Sequence, residues 1–189
     1  MLIIVGIFLK TSDIKKASKN MKNGALYFAI AGVLLVLTWL MYFFLLHNPA
    51  VQWLVYTGWV ILAIGFVFIF LPMVVLRNKG MPEKGKDFAH TTIIVDSGIY
   101  AIVRHPLYLG WLLMYVVVIL LSQHWLVIIM GTLGIVFLHL ISKQEDQELI
   151  ERFGDTYKSY MNSVPAMNAF VGIIRLLKRR MANSNFRSG

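Results

Sequence analysis

The sequence contains no cysteine, so thiol and thiolate-metal chemistry is excluded and no redox compartment can be read from it. Charge is scarce too: 14% of the 189 residues are Asp, Glu, Lys or Arg, against roughly a quarter in soluble domains. Acid is scarcer than base, with 9 Asp and Glu to 18 Lys and Arg. Apolar residues make up 58% of the chain, so water is not its main solvent. Beside apolar runs, the basic excess points to an acidic membrane leaflet rather than to nucleic acid. No Gly-x-Gly-x-x-Gly nucleotide motif follows a strand, and no Ser-centred nucleophile motif occurs. The 5 His lack His-x-x-x-His spacing, so a metal is not an expected partner, as a nucleic acid is not for a basic chain of apolar runs.

Ala25 to Leu46 runs 22 residues without a charge. As a helix it is about 33 Å long, enough to cross a bilayer core. His47-Asn48-Pro49 breaks it. A second uncharged run, Val51 to Leu76, contains Pro72, which predicts a kink or an end there. The 28-residue polar connector Arg77 to Arg104 is too long for an idle turn. Its stretch Thr91 to Val95 reads as extended and docked on protein. Leu107 to Leu121 and Trp125 to Ile141 form a second apolar pair around Ser122-Gln123-His124. The first member is long enough to span if its helix starts at Pro106, and Gly131 and Gly134 would let the pair pack closely. From Ser142 the pattern turns to a polar helix. Ala169 to Arg180 is amphipathic and basic and suits a membrane surface, and residues 183–189 look frayed. Met1 to Leu9 has no basic region before its apolar run and does not read as a cleaved secretory signal. It is a half-inserted or interfacial segment, or part of a helix continuing through Thr11.

All 18 Lys and Arg fall in Lys10 to Lys22, Arg77 to Arg104 or Lys143 to Arg187, and the two tips between apolar runs carry none. Two membrane hairpins would put these basic stretches on one face, the cytoplasmic one by the positive-inside rule. The expected fold is an all-α integral membrane protein with two transmembrane hairpins, giving four main spans. Met1 to Leu9 is a candidate fifth segment, and a C-terminal catalytic region would lie in the cytoplasm.

Two polar clusters could carry chemistry. Gly98 to Gly110 delivers Arg104-His105 to a helix start, where free N–H groups and a partial positive charge suit a carboxylate. Alternatively, the pair anchors the helix at the headgroups. Glu145-Asp146-Gln147-Glu148-Leu149 puts Glu145 and Glu148 on one helical face, fit for a cation or a ligand's hydroxyls and amine, or simply a solvated face. His139, two residues before the end of its apolar run, is a functional candidate by its position, or a structural neighbour of Lys143 one turn on.

Together the clusters resemble the C-terminal signature of the isoprenylcysteine carboxyl methyltransferase family and its relatives, the phospholipid N-methyltransferases. The matching residues are Ile94-Val95, Gly98-Ile99-Tyr100, Arg104-His105-Pro106-Leu107-Tyr108-Leu109-Gly110, Glu145 to Leu149, Phe153-Gly154 with Tyr157 and Tyr160, and Val164-Pro165. They cover about residues 90–165. The resemblance implies S-adenosylmethionine as cofactor, contacted by Ile94, Val95, Tyr100, Arg104, His105, Pro106, Leu107 and Tyr108, with Glu145 on the other side at ribose or amine. His90 stands two residues further from Gly98 than the family's His-Thr stretch does. The resemblance further implies a lipid or prenylated small-molecule or peptide acceptor entering from the bilayer. Residues 1–80 would be a membrane hairpin region, 81–165 the catalytic region, and 166–189 a basic tail.

This sequence departs from the family where members acting on prenylcysteine carboxylates have an Arg, four residues before the Glu-Glu pair: here Ile141 stands there. Asp146 also replaces the second Glu. The leading expectation is carboxyl O-methylation of an isoprenylcysteine-type substrate, and the second is N-methylation of an ethanolamine headgroup. An amine acceptor needs a base, for which Glu148, Tyr108 and His139 are the candidates. Other classes are an NADPH-dependent membrane reductase of sterol or steroid type, for which the chain is short of Arg, Lys and Asn for the extra phosphate, and a non-catalytic membrane scaffold.

Overall fold

The computed structural model describes the backbone of residues 11–44, 49–81 and 92–187, and side chains within these ranges from Gly24 to Met181. Met1 to Leu9, His90 and Thr91 lie outside the described residues. Among the described residues six α-helices follow in order: α1 (Thr11–Phe44), α2 (Gln52–Lys79), α3 (Pro106–Ser122), α4 (Trp125–Phe153), α5 (Asp155–Ser163) and α6 (Ala169–Arg187), with a 3-10 turn at Gly98–Ala101 before α3. Among the described residues there is no strand.

Among the described residues, three segments are long and apolar enough to cross a membrane: Gly24–Phe44 of α1, α2 and α4. Only 17% of the apolar window of each of the first two is buried inside the protein. Their outward faces carry Val33, Val36, Phe43, Trp59, Val67 and Phe70, all exposed. A continuous apolar exterior of this kind needs lipid as its solvent, and the chain is an integral membrane protein.

The shortest apolar helix holds the centre. At 17 residues α3 is about 26 Å long, yet it packs on α2, α4 and α1. Tyr115, Val117, Val118 and Leu121 are almost wholly buried. A helix covered on three sides has little lipid-facing surface to satisfy. It begins at Pro106, where the missing N–H costs nothing. Gly131 and Gly134 of α4 lie against Ile119 and Tyr115 of α3, and the Tyr115 hydroxyl donates to the Ala31 carbonyl of α1. The principal partner of α1 is α4, and that of α2 is α3, so each member of the first pair packs mainly on a member of the second. At the tip between α3 and α4, Gln123 takes a left-handed backbone and exchanges two 2.8 Å hydrogen bonds with the Val51 backbone.

Three local expectations change. Of the two outcomes expected at Pro72, an end is ruled out: α2 continues through this buried residue to Lys79, as packing on neighbouring helices allows. The polar stretch after Ser142 is not a separate helix but the last part of α4, stopped only at Gly154 with its positive φ of 59°. The final helix is regular to Arg187 rather than frayed from residue 183.

Candidate functional site

A cavity opens where the loop before α3 meets the polar end of α4. Ile94, Val95, Tyr100 and Arg104 come from the loop; Leu76 comes from the end of α2. His105, Pro106, Leu107 and Tyr108 form the start of α3. Glu145, Leu149 and Phe153 line it from α4, and Tyr157 and Tyr160 from α5. All nine residues that the family resemblance implicates in cofactor contact therefore line one cavity.

Its framework is organised by Asp146. One carboxylate oxygen of this buried residue accepts from Arg104 Nη2 at 2.9 Å. The other lies 2.9 Å from His105 Nε2 and accepts from the Tyr157 hydroxyl at 2.6 Å. Arg104 spends its second terminal nitrogen on the carbonyls of Met161 (3.0 Å) and Val164 (2.8 Å). Backbone bonds run parallel to these, from Arg104 N to Pro165 O and from His105 N to Ala166 O, both 2.9 Å. Loop, α4 and α5 are thus joined through one carboxylate, and the Arg104 charge is already met inside the protein. The Arg104 side chain is 9% exposed, which makes it a clasp of the wall more than a free anion site.

Ligand-binding capacity lies elsewhere in the ring. Leu107 and Tyr108 sit in the first turn of α3, whose N–H groups have no intrahelical partner. The Glu145 carboxylate is half-exposed at the rim, 3.6 Å from His105 Nδ1. Burial, then the hydrogen bond to Asp146 and its charge, pushes the Tyr157 phenol well above its ordinary value. Burial foremost raises Tyr160 and Tyr100 likewise. These three phenols stay protonated at neutral pH and form walls of the cavity, not bases; Tyr157 donates to Asp146 and Tyr160 to the Tyr100 carbonyl, both at 2.6 Å.

A second, wider cavity of about 630 Å³ adjoins the first and shares Tyr108, Glu145 and Leu149 with it. Gly24, Ala25 and Phe28 of α1 and Ile141, Gln144, Glu148 and Arg152 of α4 complete it. Of the three candidate bases, Tyr108 borders both cavities and Glu148 the second, where its carboxylate accepts from Gln144 at 3.1 Å. His139 lines neither cavity and is exposed on the outer side of α4. Ile141 is buried against Ala31, Tyr115 and Leu138, so no guanidinium faces the second cavity from that position.

Sequence reasoning missed the role of Asp146 and the lining residues Leu76, Leu149, Phe153, Tyr157 and Tyr160. Leu149 stands one helical turn after Glu145 and was inferable from it; nothing local marks Leu76.

Residues 53–156 match the sequence profile described as phospholipid methyltransferase. Among curated proteins, the protein-S-isoprenylcysteine O-methyltransferase of Schizosaccharomyces pombe is 29% identical over 100 residues, 48% of this chain and 42% of that one. Its namesake in Dictyostelium discoideum is 31% identical over 107 residues, with the same shares. The methanethiol S-methyltransferase of Crocosphaera subtropica is 26% identical over 116 residues, 61% of this chain and 44% of that one. The chain thus spans less than half the length of these relatives. No solved structure matches it. The family profile covers more than half of the chain, including the loop, the start of α3 and the polar end of α4 that build the cavity, and the chain belongs to the phospholipid methyltransferase family.

Proposed function

We propose that the chain is a methyltransferase that binds S-adenosylmethionine in the cavity around His105 and Glu145 and passes its methyl group to a lipid-like acceptor. The observation that carries this reading is the convergence of Ile94, Val95, Tyr100, Arg104 to Tyr108 and Glu145 on one cavity. The residues fit such a group. Ile94, Val95, Leu149 and Phe153 offer apolar walls for a heterocycle, the first turn of α3 offers N–H groups to a carboxylate, and Glu145 offers an acceptor to hydroxyls or an amine. When bound, the cofactor supplies an electrophilic methyl on a sulfonium. The chain's part is to position it and keep water away.

The acceptor would lie in the wider cavity bounded by α1 and α4, which meets the first at Tyr108 and Glu145. Carboxyl O-methylation of an isoprenylcysteine-type compound is the first reading, supported by the names of two relatives. Buried Ile141 favours a second one, an acceptor without a carboxylate such as an ethanolamine headgroup, for which the Glu148 carboxylate, not the protonated Tyr108 phenol, would take the proton. On this reading four apolar helices cross the bilayer, α3 being the short one, and the positive-inside rule puts both cavities and the basic stretches at the cytoplasmic end.

Titration of purified chain with S-adenosylhomocysteine tests the cofactor: saturable binding is expected, and its absence would sink the reading. Glu145→Gln should weaken that binding about tenfold, the effect of roughly 1.5 kcal/mol for one hydrogen bond to a charged group. Incubation with methyl-labelled cofactor and a total lipid extract tests the acceptor. Label released by mild base marks an ester, whereas base-stable label on a headgroup amine marks the second reading.

A further inference from the structure

We propose that α6 docks by its outward apolar face on the acidic headgroup surface of the bilayer, and from that seat holds the loop that walls the cavity. The first observation is the face itself. Phe170, Ile173, Ile174 and Leu177 are 75%, 46%, 39% and 52% exposed, and their spacing places them in one stripe. The opposite side of the helix meets the protein, with Gly172 buried and Leu176 and Arg179 half-buried. Lys178 and Arg180 flank the stripe, one on each side. From Ala169 to Arg187 there is no acidic residue.

The occupant follows from this pattern. A stripe of large apolar side chains between cations, with no acid on the helix, complements a layer that is apolar below and anionic above. The bilayer is also at hand. The loop under α6 packs its Val95, Ile99 and Tyr100 against Phe68, Val75 and Leu76, the last turns of membrane helix α2. A protein partner recognised by the same basic rim would have to displace lipid that is already adjacent.

The second observation is the attachment. Arg179 donates to the Ala101 carbonyl at 2.9 Å. Gly172 lies so close to the Ile102 carbonyl that a Cβ there would overlap it. Just before α6, Pro165 and Ala166 accept the N–H groups of Arg104 and His105. The segment that α6 grips therefore carries Tyr100, Arg104 and His105, and fixing α6 on the membrane removes a freedom from the cavity wall. This inference stands whether or not methyl transfer is the activity.

Because the chain lacks cysteine, a single Leu177→Cys substitution takes a nitroxide label without background. With the full chain in phosphatidylcholine vesicles containing phosphatidylglycerol, the label should be several-fold more accessible to dissolved oxygen than to a water-soluble nickel complex. Lys178→Gln with Arg180→Gln should cut the docked-to-undocked ratio roughly 30-fold, the factor expected for two surface cations. Amide hydrogen exchange at Arg104 and His105 should slow several-fold in acidic relative to neutral vesicles. A label that stays in water in acidic vesicles overturns the docking. So does one shielded from both quenchers, which marks a protein cover. Equal exchange in the two lipid mixtures overturns the grip on the loop.

Discussion

Replacing Asp146 with alanine is expected to cost about 3–5 kcal/mol of stability, the range for removing one partner of a buried ion pair. The reason is what stays behind. Arg104 is held in place by the carbonyls of Met161 and Val164 and by backbone bonds to Pro165, so it cannot turn to water when its counter-charge is removed. His105 and Tyr157 lose the same acceptor at once. For a chain of this size the unfolding midpoint in detergent should fall by roughly 6–20 °C. S-adenosylhomocysteine binding should fall at least about tenfold, because the loop, α4 and α5 lose their common tie. Asp155→Ala is the matched control. Its partner Lys158 is 2.8 Å away, but both side chains are exposed, and exposed pairs contribute little. Asp155 is held below its ordinary carboxylate range by Lys158, yet its loss should not move the midpoint measurably. Equal midpoints for the two variants would mean that Asp146 does not organise the wall.

The acidic run Glu145-Asp146-Gln147-Glu148 shows why part of this site was legible in the sequence and part was not. Consecutive helical side chains point about 100° apart. Of this run, one carboxylate must face inward and its neighbours the rim or the exterior. Which is which depends on the rotation of α4, and α4 is set by its contacts with α3 at Gly131 and Gly134 and with α1 along its length. No local pattern holds that information, so Asp146 read as a mere substitution for a glutamate. The start of α3 at Pro106 was readable because a single-residue rule decides it. The uncharged runs were readable because lipid imposes length and composition at once. At Pro72 the sequence left a kink or an end open, and packing on neighbouring helices decides that α2 runs on to Lys79. The pairing of α1 with α4 and α2 with α3 was invisible too, since lipid-facing and protein-facing positions are equally apolar and periodicity no longer separates them.

That pairing gives residue 110 its weight. A Cβ on Gly110 would stand 2.7 Å from Ile69 Cγ1, 2.9 Å from the Ile69 backbone nitrogen and 2.9 Å from the Phe68 carbonyl carbon. Two of these three atoms belong to the backbone of α2, so no side-chain rotation relieves the overlap and the helices must part. Overpacking of this kind costs about 1–3 kcal/mol, and Gly110→Val should reach the upper end. The midpoint should drop by roughly 5 °C or more. Gly32→Ala on α1, where a Cβ would meet nothing within 4 Å, should leave it unchanged. Binding should suffer with stability, because α3 brings Pro106, Leu107 and Tyr108 to the cavity and α2 brings Leu76. If both glycine variants unfold at the parent's temperature, the close approach does not matter. If Gly110→Val alone unfolds early and binds S-adenosylhomocysteine poorly, the first half of the chain has a defined task. Its second helix sets the distance at which α3 stands, and the glycine that closes the Arg-His-Pro-x-Tyr-x-Gly motif is the point where that distance is fixed.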